Sequence, residues 1–192
     1  MKETEFINYW NKEYPDSLPI GHEIKSPQKR WFRIHSLPNS KRYAETESEY
    51  KIILDRQNQL IKDLIGEGSE IFITFGLYTN DITNNNYKKL TDFNKFLKIT
   101  TFDLHEERPE YYEKGVFLDI YVMIDTWKKD QKNELLKAIA DDKIMAMIIC
   151  PSKKCLIAPY DGGVDIIVDS ENYRNQLKLK YKNWLSKRDD GL

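Results

Sequence analysis

The chain lacks nearly every feature that would place it in a catalytic, secreted or membrane class. It carries two cysteines, Cys150 and Cys155, in 192 residues, whereas a secreted disulfide scaffold is smaller and needs more. There is no phosphate-cradling glycine loop, no Gly-x-Ser-x-Gly nucleophile elbow and no His-Glu-x-x-His zinc pair. Charge of one sign is missing as well. The net charge is −1, so the chain as a whole makes no electrostatic demand for nucleic acid, an anionic membrane or another polyanion. The longest apolar stretch, Ile144 to Cys150, falls far short of the roughly 20 residues a bilayer span requires. Met1-Lys2-Glu3-Thr4-Glu5 has no apolar segment behind it of the kind a secretory leader needs. The expectation is a cytoplasmic protein with no membrane association and no cofactor.

Aromatic residues, by contrast, are plentiful: 12 Tyr, 8 Phe and 4 Trp. Together with an apolar fraction of 40% they supply a packed core, which disordered chains cannot build. The length suits a single domain over 1–192.

Periodicity orders the elements. Phe6, Ile7, Tyr9 and Trp10 among charges predict a short amphipathic helix over 2–13. Prolines and glycine then mark a loop over 14–30, and Trp31-Phe32-Arg33-Ile34 reads as a strand closed by turn chemistry at Leu37-Pro38-Asn39-Ser40. Thr46 and Glu49 form a capping-box pair. Behind them Tyr50, Ile53, Leu54, Ile61, Leu64 and Ile65 recur at helical spacing until Gly66, which predicts a helix over 47–65. Glu70–Leu77 is a β-branched and aromatic run, hence a strand. Residues 79–88 are expected to be a polar loop and the least ordered part of the chain. Strands are predicted over 96–104 and 116–126, and a helix over 130–140. The last third predicts a β-meander, with strands at 144–150, 155–158 and 164–168. A final helix follows, capped by Asp169 or Ser170, with Tyr173, Leu177, Tyr181, Trp184 and Leu185 on its apolar face. The fold class is therefore α+β: a mostly antiparallel sheet with helices packed on it, and a C-terminal β-meander followed by a helix.

Two segments concentrate polar chemistry. The first runs from Arg30 to Tyr43 and gathers Arg33, His35, Ser36, Ser40, Lys41, Arg42 and Tyr43 in front of a helix N-terminus. Arginine forks, hydroxyls and helix-start amides hold phosphate or carboxylate, and His35 titrates near neutrality. The bland alternative is a strand end and a turn with solvated basic residues. The second segment is Pro159-Tyr160-Asp161-Gly162-Gly163-Val164-Asp165. Its glycines suggest a tight turn with positive φ. Asp161 and Asp165 suggest a carboxylate pair for acid–base work or a divalent cation, although Asp-Gly turns are common in any fold. Alternation along the second half puts Val164, Ile166 and Val168 on one face, with Asp165 and Ile167 on the other.

Other constellations are weaker. His22, His35 and His105 lack the short spacing of zinc ligands, so no metal is expected. Cys150 and Cys155 face each other across a hairpin in this reading, and two buried thiols explain them better than a redox switch. Tyr111-Tyr112 with Trp127 suit either a partner surface or the core.

Three stretches carry a resemblance. Pro19-Ile20-Gly21-His22 with Arg30–Tyr43, then Ala158–Ile167, then Tyr181-Lys182-Asn183-Trp184-Leu185-Ser186 with a terminal Gly191-Leu192, resemble segments of an uncharacterised bacterial protein family of unknown function. The resemblance reaches both ends of the chain and leaves about 66–150 unmatched. It implies a soluble bacterial protein and hints that the three stretches meet in one place. It carries no catalytic residue.

Two functions follow as expectations. The leading one is a non-catalytic binding or protein-interaction domain of the immunity or regulatory-partner type. The alternative is a small-molecule or phosphoester enzyme that combines Arg33, His35, Lys41 and Arg42 with Asp161 and Asp165. That enzyme requires the 31–34 strand and the 159–163 turn to share a sheet edge. Nucleic-acid binding ranks third, because the basic cluster is short.

Overall fold

The computed structural model describes residues 3–15, 17–21, 24, 29–79 and 81–186. Its spine is a seven-stranded sheet in the order β1-β7-β6-β5-β2-β4-β3, with every neighbouring pair antiparallel. The strands are β1 (Trp31–His35), β2 (Glu70–Tyr78), β3 (Leu97–Asp103), β4 (Phe117–Thr126), β5 (Met147–Cys150), β6 (Cys155–Pro159) and β7 (Gly163–Ile167). The helices are α1 (Glu3–Glu13), α2 (Glu47–Ile65), α3 (Asn84–Leu90), α4 (Leu104–Glu107), α5 (Asn133–Ala140) and α6 (Glu171–Lys180). The α+β class and the C-terminal meander followed by a helix hold.

The sheet is covered on both faces, and the strand sequences reflect it. β2 pairs with β4 on one side and β5 on the other, and seven of its nine residues are buried. A strand shielded on both faces reads as a continuous apolar run rather than an alternating one. Ile71, Ile73 and Phe75 point into the core beneath α2, α5 and α6, while Phe72 joins Phe6 and Trp10 of α1 on the other face. Each fully buried side chain of this size contributes roughly 1.5–3 kcal/mol of transfer free energy.

α2 occupies the predicted range, with Thr46 as its cap. The Thr46 hydroxyl accepts from the Glu49 N–H at 3.3 Å. The reciprocal half of the capping box is shifted by one residue: the Glu49 carboxylate takes the Glu45 N–H at 2.8 Å. Gly66 ends the helix at φ +79°, a conformation a Cβ would strain. Buried Asn58 then ties α2 to the chain before α5. It accepts from the Asp130 N–H at 2.9 Å and donates to Asn133 at 2.8 Å. Ser170, of the two expected candidates, caps α6.

Two expectations need correction. The polar stretch 79–88 is not simply a loop. It enters α3, whose Tyr87 is 4% exposed and lies 4.6 Å from the Phe75 ring. The Tyr87 hydroxyl accepts from the Met145 N–H at 3.0 Å. Three asparagines have poor helix propensity, and a buried tertiary contact outweighs it. Second, β5 begins at Met147 rather than at 144. Of the two readings open for Tyr111-Tyr112 and Trp127, the core holds for Trp127, which is fully buried, whereas Tyr111 is 74% exposed. Cys150 and Cys155 do oppose each other across β5 and β6, and both are free and buried.

Candidate functional site

The β1–β7 pairing brings the two polar segments together, residue against residue. The register sets Arg33 opposite Asp165 and His35 opposite Gly163. Alternation sends Phe32 and Ile34 into one core and turns Trp31, Arg33 and His35 to the other face. There Asp165 grips Arg33 with two bonds, Nε to Oδ1 and Nη2 to Oδ2, both 2.8 Å. Trp31 Nε1 donates to the same Oδ1 at 3.0 Å. The Arg33 guanidinium sits 4.9 Å from the centre of the Tyr160 ring and 5.6 Å from that of Trp31. A planar cation with a bidentate carboxylate and two aromatic neighbours is held in one geometry.

A second pair lies beside the first. Arg42 Nε donates to Asp161 Oδ2, and the same carboxylate raises the pKa of the neighbouring Tyr43 hydroxyl. The two ends differ in environment: the Asp161 side chain is 5% exposed and that of Arg42 is 65% exposed. The Arg42 guanidinium also lies 5.2 Å from the Tyr43 ring centre. A buried anion thus anchors Arg42, and Arg42 in turn covers the Tyr43 ring, with both side chains projecting into solvent. Asp161 and Asp165 serve one arginine each and do not form the carboxylate pair envisaged from the sequence.

The glycines of the turn do a different job from the one expected. None of Asp161, Gly162 and Gly163 has a positive φ. Gly163 is needed for close approach, since a Cβ there would lie 2.1 Å from the Ile34 carbonyl oxygen and 2.9 Å from the Tyr160 hydroxyl. The positive φ values fall instead in the 37–40 turn, where Asn39 and Ser40 both stand at +56°. The Lys41 N–H closes that turn on the Pro38 carbonyl at 3.2 Å.

Lys41 and Ser40 do not join the cluster. The Lys41 ammonium is engaged by Glu49 at 2.7 Å and Glu45 at 3.0 Å, and Ser40 is exposed in its turn. His35 joins it through the backbone and the ring. Its N–H donates to the Trp184 carbonyl at 2.7 Å, and its own carbonyl accepts from Arg56 at 3.0 Å. The ring's Nε2 is buried without a hydrogen-bond partner. Burial, and then the charge of Arg33, lower the His35 pKa below its usual value. Beneath it, Gln57 of α2 donates to Ser36 at 3.0 Å, and both are fully buried.

Sequence reading missed Trp31, Arg56 and Gln57 as supports. Arg56 stacks on Trp184 at 5.2 Å, and the proximity of Trp184 to His35 fits the hint that the three resembling stretches meet. The signal for Arg56 and Gln57 is polar residues on an otherwise apolar helix stripe. His105 lies just past β3, at the opposite sheet edge from His35, and His22 falls outside the described residues. Among the described residues no three His, Cys, Asp or Glu side chains gather as metal ligands. No helix among them is long and apolar enough to cross a membrane.

A family model described as a domain of unknown function (DUF3885) matches residues 20–189. No curated protein and no solved structure matches the chain.

Proposed function

For this chain, which belongs to the DUF3885 family of domains of unknown function, we propose a non-catalytic role as a protein-interaction domain of the regulatory or immunity kind. Its contact face is the surface where Arg42 and Tyr43 project beside the 160–163 turn. The observation that carries this reading is the grouping of two exposed side chains, 65% for Arg42 and 44% for Tyr43, about the buried Asp161, which pairs with Arg42 while Arg42 lies over the Tyr43 ring. Arg and Tyr are the residue types that dominate binding hot spots, and holding them in place before the encounter removes part of the entropy cost of association.

The enzyme reading meets the same geometry less well. Its two segments do share a sheet edge, and the unpartnered, buried Nε2 of His35 is a polar atom that a ligand would satisfy. Yet Arg33, Arg42 and Lys41 each already hold a carboxylate. An incoming phosphate would have to displace an anion that is covalently part of the fold. No nucleophile with an adjacent base stands among these residues.

The test is affinity capture from the native host with wild type and with the Arg42→Ala/Tyr43→Ala variant. The expected result is a stoichiometric partner with wild type that is lost with the variant, at an unchanged unfolding midpoint. No stoichiometric partner, or equal retention by the variant, overturns the proposal. A parallel thermal-shift panel of inorganic phosphate, nucleotides, sugar phosphates and divalent metals is expected to be flat. Stabilisation by an anion that the His35→Ala variant abolishes would favour the enzyme.

A further inference from the structure

Away from the β1–β7 edge, the face of the sheet covered by α1 is left open at one end. A cleft of about 330 Å³ lies there, lined by Glu5 and Tyr9 of α1, Glu70, Phe72 and Ile124 of the sheet, and Pro151. The register explains the lining. Phe72 pairs with Ile124 and Ile149, so Glu70, Phe72 and Ile124 share one face, and Pro151 follows two residues after Ile149. α1 reaches this floor with the Tyr9 ring, edge-on to Phe72 at 6.5 Å and 84°.

The cleft combines an apolar floor with an acidic rim. Ile124 is 43% exposed, and Glu5 and Glu70 are exposed. Among the described residues no hydrogen bond or ion pair engages the Glu70 carboxylate. A long cationic side chain matches this pattern: its methylene stem covers apolar surface while its charge meets carboxylates and aromatic rings. The volume sits at the bottom of the roughly 300–1,000 Å³ range of ligand pockets, which suits one side chain rather than a cofactor. The apolar surface also continues outside the cleft. Leu97 of the edge strand β3 lies opposite Val122, on the same face as Ile124, and is 59% exposed. A free amine leaves Leu97 uncovered, whereas a polypeptide carrying the cation covers both.

We propose that this cleft binds a lysine or arginine side chain presented by a partner polypeptide, with flanking apolar residues of that partner resting on Ile124 and Leu97. The site is separate from the Arg42–Tyr43 face and does not depend on it.

The test uses the full chain, isotope-labelled, in ¹H–¹⁵N correlation spectra. The probe is a synthetic nonapeptide with one central Lys flanked by Leu residues, alongside the same peptide with acetyl-lysine. Saturable shifts are expected in the amides of Glu5–Tyr9, Glu70–Phe72, Ile124 and Ser152. Lysine acetylation and Glu70→Gln are each expected to weaken binding about tenfold, and Leu97→Ser more modestly. Arg42→Ala/Tyr43→Ala is expected to leave the affinity unchanged. Absence of saturable shifts at these amides, or equal affinity for the acetylated peptide, overturns the proposal. Lysine methyl ester binding as tightly as the peptide overturns the assignment to a polypeptide. Glu70 is exposed, so its variant is expected to keep the wild-type spectrum outside the cleft.

Discussion

Removing the Asp165 carboxylate should be among the most damaging single changes at the β1–β7 edge. Asp165 accepts three hydrogen bonds, two from Arg33 and one from Trp31. Breaking a fully buried ion pair by deleting one partner costs about 3–5 kcal/mol, because the other charge is left uncompensated. Here the side chains of Arg33 and Asp165 retain 23% and 20% exposure, so water recovers part of that cost. About 2–4 kcal/mol is the expected loss for Asp165→Ala, which is consistent with hydrogen bonds to charged groups at roughly 1.5–3 kcal/mol each. In a chain of this length each kcal/mol moves the midpoint by roughly 2–4 °C, so the fall should be roughly 4–16 °C. Urea unfolding followed by circular dichroism measures it directly. A double-mutant cycle with Arg33→Met should return a coupling of about 1 kcal/mol or more. The apolar replacement Arg33→Met/Asp165→Leu should recover most of the loss, since it strands no charge. A value for Asp165→Ala within about 0.5 kcal/mol of wild type, the range of ordinary surface substitutions, would refute the claim that this pair organises the edge.

Three other outcomes are expected. Gly163→Ala drives a Cβ to 2.1 Å from the Ile34 carbonyl oxygen. It should cost about 2–3 kcal/mol or more, as overpacking does, and wild-type stability would show that β1 and β7 are not so closely apposed. Ser40→Gly should stabilise the protein by about 0.5–1 kcal/mol. The φ of +56° carries a penalty of about 1–2 kcal/mol for an L-residue, against about 0.5–1 kcal/mol of added chain entropy in glycine; a lower melting temperature for the variant would contradict this. For His35, whose pKa in the folded state is lowered by burial and by Arg33, the unfolded chain binds the proton more readily. Its contribution is therefore complete above about pH 6.5 and is lost as pH falls below that value. Stability measured from pH 7.5 to 5 should drop more steeply in wild type than in His35→Gln, and parallel profiles would remove His35 as the cause.

The polar cluster at the sheet edge was half legible in the sequence. Arg33, His35, Asp161 and Asp165 stood out as chemistry-bearing residues, and alternation on β7 separated Asp165 from Val164 and Ile166 correctly. Which acid meets which base was not legible. Arg33 and Asp165 lie 132 positions apart, and their meeting depends on a strand register that no local pattern specifies. Lys41 looked like a member of the cluster by proximity in sequence, but the start of α2 places Glu49 within its reach and takes it away.

Elements with local signals are readable from the sequence alone. The Thr46 cap, the helical stripe behind it and the stop at Gly66 mark α2 to the residue. The β-branched run of β2 and the short turns of the meander mark their strands, because capping, periodicity and turn chemistry act over a few neighbouring residues. Tertiary packing settled the rest. It made a helix of Asn84–Leu90 by burying Tyr87 against Phe75. It made Gly163, expected as a positive-φ turn residue, a point of close approach between strands. It opened a cleft where α1 leaves the sheet uncovered. In each case the deciding energy is a packing contact or a steric limit between segments far apart in the chain, and such energies exist only once the register is set.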